Sequence, residues 1–504
     1  MALHRLFPLK QVVLVALLAL PCCAQEWGAS PQEEPLTILH SASRLVVLDV
    51  VVTDASGKPA RGLSKDDFTV FEDGNPQSIA SFERPEEHKY AVSTDGKPGG
   101  RRGQTVSSAL TILVIDGLNT PILDLIYARE AVAKFLRSRG ANLSQPTALM
   151  RITDSKLELL HDYTQDAASL LDALKRHPAE LPFRYGTDST AVGQADSLMD
   201  TLSCLEKIAA ANANFAGRKN VIWIGQGFTA INGRTRPENE IILSKIANEM
   251  RSARLAVYTI DPRGLQVTPP GTMEDPSGLR FFENIARETG GRTIFNRNDV
   301  DVAVADSMND GATYYTLSYY PANRDWNGKF RKIAVTLGKR GLQVRTRTGY
   351  FAVPERSDTD TRIDSELASA VRSPLPYRGL ALSVSVSPLR NAPGMARFVA
   401  AVDRHDLDWQ VAPNGDHLCR IMLVAISLSR KERIVKNDIK ELEGLVKAGK
   451  FENQMDKPML FPFTGELPAD ATRLRVVVRD GGNGRIGTAD LTLEESRALN
   501  GKLH

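Results

Sequence analysis

The chain has 504 residues, of which 42% are apolar, 24% charged and 6% aromatic. At about 150 residues per domain, that length suggests roughly three domains, and the composition excludes wholesale disorder, collagen and a multi-span membrane protein. The net charge is only +3. With no basic run interleaved with aromatics, nothing points to nucleic acid.

Residues 1–24 have the layout of a secretory signal. Arg5 and Lys10 precede the apolar run 12–20, and Cys22-Cys23-Ala24 places small residues before a cleavage point at Gln25. The run is too short to span a bilayer, and no later segment is long and apolar enough to do so. Lipid attachment at Cys22 or Cys23 is the alternative, but it would put Pro21 or Cys22 where a small residue such as Gly or Ala belongs. The exported chain keeps Cys204 and Cys419. These are either two separate buried thiols or a pair in an oxidising compartment.

After a polar stretch, residues 36–85 read as an N-terminal β module. RLVVLDVVVTD is a β-branched run, and FTVFEDG and QSIASFE are strands joined across Asp73-Gly74-Asn75-Pro76. Residues 86–108, rich in Gly, Lys and Ser, read as a linker. From Ala109 to residue 312 strands alternate with helices. ALTILVID, NVIWIG and RLAVYTID are continuous apolar runs, as expected for strands buried on both faces. TALMRITD and KLELLHDY read as a strand pair, TIF as a short strand, and helices are expected over 122–139, 166–176, 196–212, 237–250, 278–288 and 300–308. This alternation predicts a doubly wound, Rossmann-like α/β domain with a parallel-type sheet. Three β-rich runs over 313–354 are expected to extend or cap that sheet as hairpins. Residues 355–374 read as a polar linker. Residues 375–504 read as a second β-rich, sandwich-like domain whose charged insert, 430–450, looks helical.

In open α/β sheets, ligands bind beyond the carboxyl ends of the strands. Three such ends matter: Asp116-Gly117-Leu118-Asn119-Thr120, Gly225-Gln226-Gly227 and Asp261-Pro262-Arg263. The candidate binding residues are Asp116, Asn119, Thr120 and Gln226. Asp116 has an alternative role as a cap on the following helix, shared with Asn119 and Thr120.

The order of "VVLDVVVTDASGKPARGLSKDDFTVFEDGNPQSIASFE", "TILVIDGLNTP", "GRKNVIWIGQGF", "LAVYTIDPRGL", "YYTLSYYPANRDWNGKFRKIAVTL" and "VRTRTGYFAV" resembles the von Willebrand factor A (VWFA)-related secreted proteins typical of acidobacteria. The resemblance spans roughly residues 36–355. It implies a central von Willebrand A domain and, at its strand ends, a metal-ion-dependent adhesion site: Asp-x-Ser-x-Ser on the first loop, a threonine on a second and an aspartate after the fourth strand. Magnesium takes six oxygen ligands there. This chain departs from the pattern. Asp116 matches the first aspartate and Thr120 the second serine, so Asp116 and Thr120 are the metal candidates. Leu118 stands where the first serine should be, and Gln226 stands where the later aspartate is expected. Thr187, Thr190 and Thr201 compete for the threonine. With half the ligand charge gone, weak magnesium binding or none is expected, and no other cofactor.

Thr153-Asp154 resembles the end of the fourth strand but comes too early and reads as a hairpin turn. Gly482-Asn483-Gly484-Arg485-Ile486-Gly487 fits a nucleotide-loop pattern but precedes a strand, not a helix, and also reads as a hairpin. Zincin, nucleophile-elbow and P-loop motifs are missing from the sequence. His161 reads as a satisfied or exposed residue near a strand end. The expectation is an exported, non-enzymatic binding or scaffold protein that docks a protein partner in the cell envelope or outside the cell through its strand-end loops. A magnesium-dependent adhesin is the first alternative, and a hydrolase without a recognised motif is the second.

Overall fold

The computed structural model describes residues 44–91, 105–107, 109–153, 156–180, 191–213, 217–227, 246–265, 277–353, 360–389, 391–392 and 394–493. The expected signal segment 1–24 with Cys22 and Cys23, together with Asp154, Thr187, Thr190 and the start of the helix expected from Pro237, lies outside them.

The β-branched N-terminal run forms β1 (Val46–Asp54), followed by β2 (Phe68–Glu72), β3 (Asn75–Gln77), β4 (Ile79–Glu83), β5 (Lys89–Ala91) and β6 (Thr105–Ser107). The α/β region follows as β7 (Leu110–Asp116), α1 (Ile122–Ser138), β8 (Asn142–Thr153), β9 (Lys156–Asp166), α2 (Ala167–Arg176) and α3 (Ala191–Asn212). It continues through β10 (Lys219–Ile224), a helical stretch over 246–252, β11 (Leu255–Ile260), α4 (Ser277–Thr289), β12 (Thr293–Ile294) and α5 (Val300–Ala312). Next come β13 (Tyr315–Tyr319), β14 (Phe330–Leu337), β15 (Leu342–Arg345), β16 (Gly349–Phe351) and α6 (Asp360–Arg372). The C-terminal part holds β17 (Leu382–Pro388), β18 (Met395–Val402), β19 (Gln410–Val411), β20 (His417–Ser429), β21 (Ile434–Val446), β22 (Met459–Glu466), β23 (Ala471–Asp480) and β24 (Ile486–Thr492).

The central sheet has the order β12-β11-β10-β7-β8-β9. All its neighbours are parallel except β9, which runs antiparallel to β8. Every residue of β7, β10 and β11 is buried. Helices cover both faces, so no solvent side exists to impose alternation. Leu113, Ile115, Ile222 and Ile224 pack with Leu125, Val132 and Phe135 of α1, Leu170 of α2 and Val304 of α5. On the other face Ile112, Val114, Val221 and Trp223 pack with Leu205 and Ile208 of α3, Met250, and Phe282 and Ile285 of α4. The same cluster reaches Leu367 of α6 and Val424, Ile426 and Val477 of the C-terminal sheet.

Four expectations are corrected. The run 313–354 does not extend the central sheet. β13 pairs antiparallel with β1, from Val46↔Tyr319 to Val50↔Tyr315, and with β4, while β14 pairs with β2. The N-terminal β module is thus completed by strands that follow α5, and the α/β region is inserted between its halves. The reason is apolar burial: Leu48, Val50, Phe68 and Val70 share one core with Tyr315, Leu317, Tyr319 and Ile333. Inside it, Glu72 accepts hydrogen bonds from Tyr319 (2.7 Å), Tyr350 (3.0 Å) and Arg331 (3.1 Å), which satisfies a carboxylate that burial alone would penalise. Second, the segment 86–108 is not linker throughout, because β5 and β6 pair antiparallel at its ends. Third, the segment 355–374 contains α6, whose Leu367 and Ala370 are buried. Fourth, the insert 430–450 is not a helix. Its residues 434–446 form β21, antiparallel to β20 along its length. From Asp438 onward even positions point inward and odd ones outward, a period of two that only a strand satisfies.

Cys204 and Cys419 are both free and buried. Burial pushes their thiols up to about 12 and about 11, which makes them unreactive. Among the described residues no helix is long and apolar enough to cross a membrane.

Candidate functional site at the switch between β7 and β10

The chain leaves β7 in one direction and β10 in the other, so the crevice between their carboxyl ends is the topological switch point of the sheet. The turn after β7 is tight. Gly117 donates its N–H to the Ile152 carbonyl (2.9 Å), and a Cβ there would lie 2.8 Å from that oxygen.

Asp116 is fully buried. Its Oδ1 accepts the backbone N–H groups of Leu118 and Asn119, both at 3.0 Å. Its Oδ2 accepts the Asn119 side-chain amide (2.9 Å) and the Trp223 indole N–H (3.1 Å). A carboxylate offers about four lone-pair positions, and here four N–H donors take them. Burial raises the Asp116 pKa above the ordinary carboxylate value, and these donors pull it partly back. The Asn119 amide also donates to the Thr201 hydroxyl on α3 (3.0 Å). Thr120, fully buried, accepts the Gln226 backbone N–H at 3.3 Å. Gly225 makes this approach feasible: a Cβ on it would sit 2.7 Å from the Asp116 Cβ and 3.1 Å from the Thr120 hydroxyl.

The structure therefore brings Asp116, Asn119, Thr120 and Gln226 into one crevice and places Thr201, alone of the three threonine candidates within the described residues, beside them. Asp116 does not cap α1. That helix starts after Pro121, with no side-chain cap. Leu118, where a ligating hydroxyl was expected, is buried in the apolar core. A cation at Asp116 would meet the positive ends of four N–H dipoles and would have to displace them. Among the described residues no group of three or more His, Cys, Asp or Glu side chains is placed to hold a metal ion. Trp223 is the site residue that the strand-end search missed. It pairs in register with Val114, and Asp116, two residues on, shares that face; strand parity could have found it.

The third strand end is tied off internally. Asp261 accepts the Arg263 backbone N–H (3.0 Å) and its guanidinium at 3.1 and 2.7 Å. Five large apolar side chains stand exposed around these ends. Leu123 is 77% exposed, Leu265 61%, Ile126 51%, Phe295 46% and Tyr127 41%. Leu123, Ile126 and Tyr127 lie three and four residues apart, on one face of α1. The Tyr127 hydroxyl donates to the Asn298 carbonyl, and the Asn298 side chain accepts the Leu265 N–H at 2.9 Å. The patch thus joins α1 to the segments following β11 and β12. Elsewhere, His161 meets the Asp162 carbonyl at 2.6 Å, and the Gly482–Gly487 segment joins β23 to β24.

No family model matches the chain, and no curated protein matches it. Among solved structures it is similar to the SpRpn10 VWA domain, at 16% identity over 40% of this chain and 97% of that one, with a TM-score of 0.24. It is also similar to the TFIIH p34 N-terminal domain, at 15% identity over 43% of this chain and 99% of that one, with a TM-score of 0.23. The chain is a mixed α/β protein with several sheets, and solved VWA domains stand among its structural neighbours.

Proposed function

We propose that this chain is an exported, non-enzymatic binding protein that docks a protein partner through the strand-end rim of a von Willebrand A-like domain, with the β modules on either side, read as sandwiches, acting as scaffold. The observation that carries this reading is the apolar rim. Leu123, Ile126, Tyr127, Leu265 and Phe295 stand in solvent around the ends of β7, β11 and β12, and large apolar side chains exposed together in one region mark interaction sites. Asp116 supports docking without a metal bridge, because its lone pairs are already filled. The signal-like segment 1–24 supports export and a partner in the envelope or outside the cell.

The test is affinity capture from the cell envelope with the chain lacking residues 1–24. Proteins held by the wild type should be lost when Leu123 and Phe295 are both changed to Asp, and retained when Ile439, exposed on β21, is changed to Asp. Equal capture by all three chains refutes a docking rim. A magnesium titration separates the adhesin alternative: no saturable heat is expected, and heat that vanishes in Asp116→Asn would establish that alternative instead.

A further inference from the structure

β21 is 13 residues long and stands at the edge of the C-terminal sheet. It pairs with β20 on one side, from His417↔Val446 to Leu428↔Ile434. Among the described residues it pairs with no strand on the other. β22 does not fill that place, because it crosses the inner face of β21 instead. A Cβ on Gly444 would lie 2.7 Å from the Met459 Cε, and a Cβ on Gly465 would lie 2.9 Å from the Asp438 Oδ2. An open edge presents N–H and C=O groups that can pair with another strand. The inward positions of β21 carry Lys436, Asp438 and Lys440, and the outward ones Asn437, Ile439, Glu441 and Glu443. Ile439 is 63% exposed. Lys436 is taken up by Glu466 of β22 at 2.9 Å. Among the described residues no ion pair or side-chain hydrogen bond engages Asp438 or Lys440.

Charges on an edge strand oppose pairing unless the incoming strand sets opposite charges against them. A second copy of β21 does so. Two copies joined edge to edge about a two-fold axis run antiparallel and use the same surface. Such an axis keeps the two inner faces on the same side. Each residue then opposes one of its own parity, since a slip by one residue would turn the faces over, and the pairing is centred on a single residue. Centred on Asp438, Lys440 or Glu441, the strands set a charge against its own copy. Centred on Leu442, they set Glu441 against Glu443. Centred on Ile439, they set Asp438 against Lys440 twice, Asn437 against Glu441, and the two exposed Ile439 side chains against each other. Centring on Asn437 would oppose Lys436 and Asp438, but the overlap shrinks to 434–440 and Lys436 is already engaged by Glu466.

We propose that β21 is a self-association edge: two copies of this chain join by antiparallel pairing of β21 over residues 434–444, centred on Ile439, with Asp438 opposite Lys440 of the partner subunit. The two C-terminal sheets then become one continuous sheet, and the edge charges fix its register instead of forbidding it. The pairing neither requires nor excludes docking at the apolar rim of α1.

Sedimentation equilibrium of the full chain tests this. The mass should rise with concentration from that of one chain to that of two. Asp438→Lys and Lys440→Asp should each weaken the dimer about tenfold, because each turns both symmetry-related opposite-charge pairs into like-charge pairs. An equimolar mixture of the two variants should dimerise again, since each supplies the charge the other has lost, and a folding defect cannot produce that rescue. Changing Leu123 and Phe295 together to Asp should leave the association unchanged, so failure here and failure of the docking rim are read separately. The proposal is overturned if the wild type stays monomeric at every concentration, or if either single variant, folded by circular dichroism, dimerises as tightly as the wild type. It is equally overturned if the mixture associates no better than its components. Loss of the dimer in the Leu123 and Phe295 variant, with the β21 variants unaffected, would place the second copy on the rim and overturn it too.

Discussion

The Asp116 crevice and the Glu72 cluster of the β module solve the burial of charge in opposite ways. At the crevice one carboxylate is wrapped by four N–H dipoles, drawn from its own loop, Asn119 and Trp223, with no cation in contact. In the β module the buried carboxylate of Glu72 instead meets the Arg331 guanidinium (3.1 Å) and the hydroxyls of Tyr319 and Tyr350. A buried charge is tolerated where hydrogen bonds satisfy it, whether or not a counter-charge is present. The crevice is therefore complete as it stands, and its carboxylate braces the protein. The Glu72 cluster is complete as well, with a guanidinium doing what backbone and amide N–H groups do at Asp116. A conspicuous motif carboxylate does not by itself mark a binding site when its lone pairs are already filled.

Breaking the brace should have the largest effect. Asp116→Ala leaves four buried donors without an acceptor, and we expect a loss of about 3–5 kcal/mol in urea denaturation. A loss below about 1 kcal/mol, the net worth of a single hydrogen bond, would mean that water reaches the donors. Gly225→Ala tests the same closeness from the other strand. A Cβ 2.7 Å from that of Asp116 is overpacking, for which about 1–3 kcal/mol is expected. The thermal midpoint should fall accordingly; an unchanged midpoint would mean that β7 and β10 can spread at the switch point without cost.

How much of this was visible in the sequence depends on range. β7, β10 and β11 are legible because burial on both faces leaves unbroken apolar runs. Asp116, Thr120 and Gln226 are legible because they follow those runs. The insertion of the α/β region is not, since the pairing of Val46 with Tyr319 is settled by a shared core that neither segment encodes locally. β21 was obscured by its charge: Lys436, Asp438, Lys440, Glu441 and Glu443 suggest a solvated helix, while the period-two burial appears only against β20. Trp223 was hidden because a tryptophan in an apolar strand counts as core, and its indole N–H finds an acceptor only in three dimensions.

Lys219 sharpens the comparison with the smallest expected effect. It is the first residue of β10, 1% exposed, and its Nζ donates to the Ala253 carbonyl at 2.6 Å. Burial, with repulsion from Arg254, lowers its pKa to about 7, against a partial pull upward from Asp49. In the unfolded chain a lysine titrates near 10.4. Between these values the unfolded state binds more protons than the folded one, so stability rises with pH across that window, and below about pH 7 the burial penalty is fully present. Lys219→Met removes the ammonium but leaves the Ala253 carbonyl unpaired. We expect a net gain of about 1–2 kcal/mol at pH 6. That gain should fall as pH rises above 7 and be gone before pH 10, and the variant's stability should be flatter than the wild type's from pH 7 upward. Urea denaturation at pH 6, 8 and 10 measures it. Parallel pH profiles for the two chains would mean that Lys219 holds its proton equally in both states. The surroundings of Lys219 would then support a buried cation, as four N–H groups support the buried anion at Asp116.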